Sequence, residues 1–253
     1  MSTYTYQAPN FVDNATGAIF NPNGGFVSSL FPLGQNIKVM AVGDSITLGL
    51  GAESHGGFRM FLWQKLQDAG FTFTPVGWNT APPALPYLTN YAHKGSGYCA
   101  YGGWTMKSLM NQAANNAVGV GNTPGTSIGQ WITQYNPDVL FLMIGTNDTG
   151  SSATWAADMN ALTTMIYGAK SDIKIVWGPI PYQQNYAYGV CDQLNNAWRA
   201  EWTARRAQGK VIIEAPTQDY VGTLAKNFND LIHPGTYGHE RLASAYFHAV
   251  VNN

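Results

Sequence analysis

Short apolar runs alternate with stretches of helical period along most of this chain. Lys38–Val42 is a short, largely apolar run of the kind that forms a buried strand. Phe58, Phe61, Leu62 and Leu66 follow at helical spacing, and Gly70 stands where a helix-ending glycine would. Phe73–Val76 predicts a second strand. The continuous run Asp138–Asp148, "DVLFLMIGTND", has the composition of a strand covered on both faces of a parallel sheet. Trp155, Met159, Leu162 and Ile166 mark a helix, Ile173–Ile180 a further strand, and residues 192–208 a helix with a basic end. Lys210–Ala215 is the fifth strand and Tyr237–Val251 the closing helix. Helices are also expected over Gly103–Ala117 and Ser127–Tyr135.

This alternation implies one α/β domain: a three-layer α/β/α sandwich around a central, mainly parallel five-stranded sheet. Residues 1–36 lack a sustained period and read as an N-terminal arm or cap, with a short strand expected at Gly25–Leu30. The domain proper covers 37–253. Residues 78–102, rich in Pro, Tyr and Gly, read as one long loop, and a loop of that length inside a compact domain is commonly functional.

Composition narrows the function classes. Of the 253 residues 45% are apolar and only 11% charged, with a net charge of −1. The chain has no basic stripe, so it lacks the electrostatic footprint of nucleic-acid binding. No apolar run approaches the ~18 residues of a membrane span. The start lacks the basic and apolar regions of a signal peptide, as a mature secreted chain would, so the compartment stays open between secreted and other locations. Cys99 and Cys191 are too few and too far apart for a zinc site and leave either one disulfide or two buried thiols. No familiar metal-ligand spacing is present, and no metal or cofactor is expected.

In open α/β sheets, sites form at the carboxyl ends of strands. Three polar clusters fall there: Gly43-Asp44-Ser45, Gly145-Thr146-Asn147-Asp148, and "NDLIHPGTYGH" after the fifth strand. In the last, Asp230 and His233 stand three apart, so a single turn lets the carboxylate reach Nδ1 and leaves Nε2 for a hydroxyl proton. Ser45 lies at a strand end in a glycine-flanked turn. The trio for acyl transfer is therefore present in the order Ser45, Asp230, His233. The competing reading of Ser45 is a plain helix cap, since serine favours that position. Asp44 and Asp148 are expected to tie down their loops, and His239 and His248 to be structural or solvent-facing. His55 and His93 lie on loops near the expected mouth, and Arg59 is a candidate anchor behind the site.

With these motifs in view the sequence resembles the SGNH (GDSL-type) hydrolase superfamily. "GDSIT" (Gly43–Thr47), "GGWTM" (Gly102–Met106), "GTND" (Gly145–Asp148) and "DLIH" (Asp230–His233) stand in the order of the superfamily's four blocks. The resemblance implies a flavodoxin-like fold, a Ser45–His233–Asp230 triad, and an oxyanion hole formed by Ser45, Gly103 and Asn147. In detail the chain looks most similar to carbohydrate esterase family 3, the acetylxylan-esterase type. The residues that carry this are Gly43–Gly70, "PVG" (Pro75–Gly77), and "HKG" (His93–Gly95) leading to "GGWT". That group has an acid where Lys94 stands.

The implied activity is a serine esterase removing short acyl groups, acetyl foremost, from a carbohydrate. A lipid- or thioester-directed hydrolase of the same superfamily is the alternative, as is a carbohydrate-binding or structural module that kept the fold. Trp63, Trp131, Trp155, Trp177 and Trp198 sit in helix or strand patterns and read as core. Trp78, Tyr87, Tyr98, Tyr101 and Trp104 cluster on the long loop and its exit, where rings suit sugar faces. Trp78, Tyr101 and Trp104 are the candidate substrate contacts.

Overall fold

The computed structural model describes residues 11–12, 19–20, 28–32, 34–53, 56–78, 97–110, 126–183 and 188–253. Phe11–Val12 (β1) and Ile19–Phe20 (β2) pair antiparallel as a small separate ladder. Ser28–Leu30 is not strand, and the rest of the strand expected there lies outside the described residues. Leu30 and Phe31 are buried in the main core, and the Ser29 N–H donates to the carbonyl of Asn253 at 2.7 Å.

The central sheet is built from Ile37–Gly43 (β3), Phe73–Pro75 (β4), Tyr98–Ala100 (β5), Val139–Met143 (β6), Lys174–Trp177 (β7) and Ile212–Glu214 (β8). Its order is β4-β3-β6-β7-β8, every pairing is parallel, and β5 also pairs with β3. The sheet thus has six strands, not the five expected, and the segment read as one loop contains the sixth. The cause is the shortness of β4. It covers only Ile37–Val39, which leaves Ala41–Gly43 of β3 free for β5. The junction is close. A Cβ on Gly97 would lie 2.2 Å from Pro75 Cβ, and one on Gly77 would lie 2.6 Å from the Tyr98 backbone. Only glycines allow the chain to leave β4 and re-enter as β5 at that spacing.

Helices cover both faces. Gly57–Asp68 (α2) packs on Thr236–Val251 (α8), while Ser152–Ala169 (α5) packs on Ile128–Tyr135 (α4) and Tyr188–Ala207 (α6). Leu142 is in register with Trp177, so Phe141, one residue earlier on β6, faces the opposite side of the sheet from Trp177. The rings follow that division. Phe141 meets Trp63 of α2 and Tyr246 of α8 at 5.5 and 5.7 Å, whereas Trp177 meets Trp198 and Trp202 of α6 at 6.3 and 6.2 Å. Short elements complete the fold: Ser45–Leu48 (α1), Met106–Leu109 (α3) and Thr217–Val221 (α7). Of the helix expected over Gly103–Ala117, the described part is helical only over α3: Gly103–Thr105 are turn and cap, Met110 is the C-cap, and residues 111–117 lie outside the described residues. Cys99 and Cys191 are both free, buried thiols. No helix among the described residues is long and apolar enough to cross a membrane.

Candidate active site

Three strand ends and one loop converge at the carboxyl edge of the sheet. The chain turns sharply out of β3 because residue 43 has no side chain: a Cβ there would lie 2.0 Å from the Met143 carbonyl oxygen of β6. Asp44, not Ser45, is the N-cap of α1, its Oδ1 accepting the Ile46 N–H at 2.9 Å. Ser45 is therefore the first helical residue, with its hydroxyl unused by the cap. Asp44 is completely buried. Burial pushes its carboxyl up to about 6, against the Ile46 N–H that favours the charged form.

The far end of α1 is held by Arg59, which is 1% exposed. Its Nε donates to the Thr47 carbonyl at 2.7 Å and its Nη2 to that of Leu48 at 2.9 Å. The guanidinium lies 3.4 Å over the Tyr98 ring of β5. Burial pushes the Arg59 pKa down to about 10, still well above neutrality. His239 of α8 joins the same support. Its Nδ1 accepts the Phe58 N–H at 3.1 Å and its Nε2 lies 2.9 Å from the Leu50 carbonyl, which fixes the neutral tautomer protonated at Nε2. Burial, with Arg59 and His233 nearby, pushes the imidazole down to about 4.

His233 brings the distant segment to Ser45. Its Nε2 lies 3.0 Å from Ser45 Oγ, and its Nδ1 lies 2.8 Å from Asp230 Oδ2. The other Asp230 oxygen accepts the Ile232 and His233 N–H groups, both at 2.7 Å, so the loop closes on its own carboxylate. Partial burial opposes ionisation, but these N–H donors and the His233 ring hold the Asp230 carboxyl below its usual range. Ser45 is 188 residues from His233 in sequence. The two side chains are nonetheless in hydrogen-bond reach.

Gly145-Thr146-Asn147-Asp148 turns away from β6 beside this line. Asn147 Nδ2 donates to the Trp104 carbonyl at 2.9 Å, which leaves one amide N–H for another acceptor. Asp148 accepts the Met106 N–H on both oxygens, at 3.1 and 3.2 Å. Burial, with Asp44 and Asp158 nearby, pushes its carboxyl up to about 7, against the Met106 N–H. Asp44 and Asp148 thus each tie down a loop. Gly103 sits in the turn before α3 with φ +78.

The aromatic candidates divide. Trp104 is 4% exposed and stacks on Trp131, with centroids 5.5 Å apart and rings 7° from parallel. One face of the ring is taken by Trp131. Trp78 and Tyr101 are only partly buried against the core and pack 6.4 and 5.8 Å from Trp104. Tyr98 lies under Arg59 and is core. His55, Tyr87, His93 and Lys94 lie outside the described residues. Sequence reasoning left His239 as merely structural or solvent-facing, because a lone histidine one turn into a helix carries no signal of its two backbone partners. Among the described residues no group of three or more His, Cys, Asp or Glu side chains is arranged to hold a metal ion.

A strand-end serine in line with a histidine and an aspartate is compatible with several families on this fold. The deciding match is to a model of the GDSL-like lipase/acylhydrolase family, over residues 41–241. The chain belongs to that family. A multidomain esterase of Ruminococcus flavefaciens is 26% identical over 224 residues, which is 85% of this chain but 28% of that protein's length. Two solved structures share the fold with a TM-score of 0.65 each. One is a family 3 carbohydrate esterase of Clostridium thermocellum, 22% identical, covering 84% of this chain and 94% of its own. The other is a family 3 carbohydrate esterase from Talaromyces cellulolyticus, 18% identical, covering 83% of this chain and 94% of its own.

Proposed function

We propose that this GDSL-like chain is a serine esterase that removes short acyl groups, acetyl foremost, from carbohydrate by a Ser45–His233–Asp230 acyl-enzyme mechanism. The observation that carries the mechanism is the continuous line Ser45 Oγ to His233 Nε2 to Asp230 Oδ2, at 3.0 and 2.8 Å. Ser45 Oγ attacks the ester carbonyl carbon while His233 Nε2 takes its proton. Asp230 holds the Nδ1–H and stabilises the imidazolium. Collapse of the tetrahedral intermediate breaks the bond to the leaving alcohol, which takes the proton from His233. Water then attacks the acyl-enzyme by the same route and releases the acid.

The developing oxyanion is received by the backbone N–H groups of Ser45 and Gly103 and by the Asn147 amide hydrogen that Trp104 does not use. Such donors are preorganised, so they stabilise charge without reorientation during the reaction. The carbohydrate part of the reading is supported by the two family 3 carbohydrate esterases that share the fold. It is also supported by the partly buried Trp78 and Tyr101 on the Gly103 side of the site.

The test has two arms. A fluorophosphonate probe labels Ser45 in the wild type and not in S45A. Acetate release is then followed across a panel of acetylated polysaccharides, alongside p-nitrophenyl esters of increasing chain length. Release of acetate with preference for the two-carbon ester is expected. Preference for chains of eight or more carbons would remove the acetyl reading while leaving the serine mechanism in place.

A further inference from the structure

Two neighbouring residues reach from the loop after β6 to the segment that carries Gly103. Asn147 donates to the Trp104 carbonyl at 2.9 Å, and Asp148 accepts the Met106 N–H at 3.1 and 3.2 Å. A single hydrogen bond leaves two segments free to hinge about it; a second, two residues along, removes that freedom. Asp148 is suited to be the fixed partner. Its own N–H donates to the Gly145 carbonyl at 3.1 Å, and its carbonyl accepts the Trp155 indole N–H at 3.2 Å. Met106 is equally committed. It is the first residue of α3, whose cap is a reciprocal Thr105–Ser108 pair, and its N–H is one that the helix itself cannot satisfy.

We infer that Asp148 is a positioning residue of the oxyanion hole, fixing the Asn147 amide relative to the Gly103 turn by holding the Met106 N–H across the gap. This rests on the reading of Asn147 and Gly103 as oxyanion donors. The required precision gives the inference its weight, since a displacement of about 1 Å at a reacting centre can cost 10²-fold in rate. The clamp acts on the transition state, where the oxyanion forms, so its loss lowers kcat and leaves KM nearly unchanged.

The hydrogen bond can be removed from either side. D148L deletes the acceptor, and M106P deletes the donor. Proline suits the first helical position, and Thr105 already has the extended backbone (φ −110°, ψ 173°) that a residue before proline needs. With p-nitrophenyl acetate, D148L and M106P are each expected to lower kcat about 10- to 100-fold with KM within about two-fold. D148N keeps a carbonyl oxygen at the position and is expected to recover most of that loss. The double variant D148L/M106P should be no slower than the slower single one, within about three-fold, because both remove one bond.

Wild-type-like kcat in D148L overturns the inference. So does a D148N as slow as D148L, or losses that multiply in the double variant. If D148L fails to fold, M106P decides alone, and an unchanged kcat there overturns it. N147A is the control for the underlying reading: full activity in N147A removes the oxyanion assignment itself, whatever D148L does.

Discussion

His239 offers a measurement in which stability and protonation must agree. It is fully buried and joins three elements: α8, which carries it; Phe58 at the start of α2; and Leu50, just after α1. His239→Leu would leave the buried Phe58 N–H and the part-buried Leu50 carbonyl without their imidazole partner. Each such orphan costs about 1–3 kcal/mol, so the variant should lose roughly 4 kcal/mol. For a chain of this size that lowers Tm by about 8–16 °C. His239→Asn keeps an acceptor near the Nδ1 position, and His239→Gln a donor near the Nε2 position. Each should lose roughly half as much as Leu.

The protonation arm follows from the same burial. The folded imidazole titrates at about 4 against an ordinary 6.5, so the folded state binds fewer protons between those values. The associated stability is present above pH 6.5 and lost as pH falls through 4. The difference of 2.5 units is worth about 3 kcal/mol. Urea unfolding at pH 7, 5.5 and 4 checks both arms at once. The gap between wild type and His239→Leu should narrow by about 3 kcal/mol from pH 7 to pH 4. A gap that stays constant over that range would refute the reasoning, because the buried imidazole would then not be held neutral.

If Asn147 is the proposed oxyanion donor, Asn147→Ala should lower kcat about 10²–10³-fold while KM changes little; steady-state kinetics with p-nitrophenyl acetate checks it. Gly43→Ala places a Cβ 2.0 Å from the Met143 carbonyl and 2.3 Å from Thr47 Oγ1, so β3 and β6 must part at the turn before Ser45. A drop in Tm together with a loss of fluorophosphonate labelling is expected, and a variant with wild-type Tm and labelling rate would contradict it.

The site was legible in the sequence wherever its parts were local. Asp230 and His233 are three residues apart, and a single turn is enough to pair them. Gly43 and Ser45 stand together at the end of a strand whose apolar run announces it. The helices α2, α5 and α8 were legible from their 3.6-residue period, which survives because each buries one stripe. The sixth strand was not legible. Tyr98–Ala100 is three residues long and set among Gly and Tyr, and it forms a strand only because β4 stops early and leaves the upper half of β3 unpaired. The burial of Trp104 was not legible for a similar reason: its place on a loop suggested exposure, but Trp131 of α4 covers one face.

What the sequence determined by itself is most of the elements, their alternation and the candidate site residues, because period, turn chemistry and short spacing are properties of neighbouring residues. What only the tertiary structure decided is how those groups are held. Arg59 on the last carbonyls of α1 joins neighbouring elements, and His239 between two backbones and Asp148 on the Met106 N–H join residues far apart in the chain. Hydrogen bonds to backbone atoms leave no mark on the identity of the partner residue. They become visible only when the chain has closed and each buried polar group has had to find a partner.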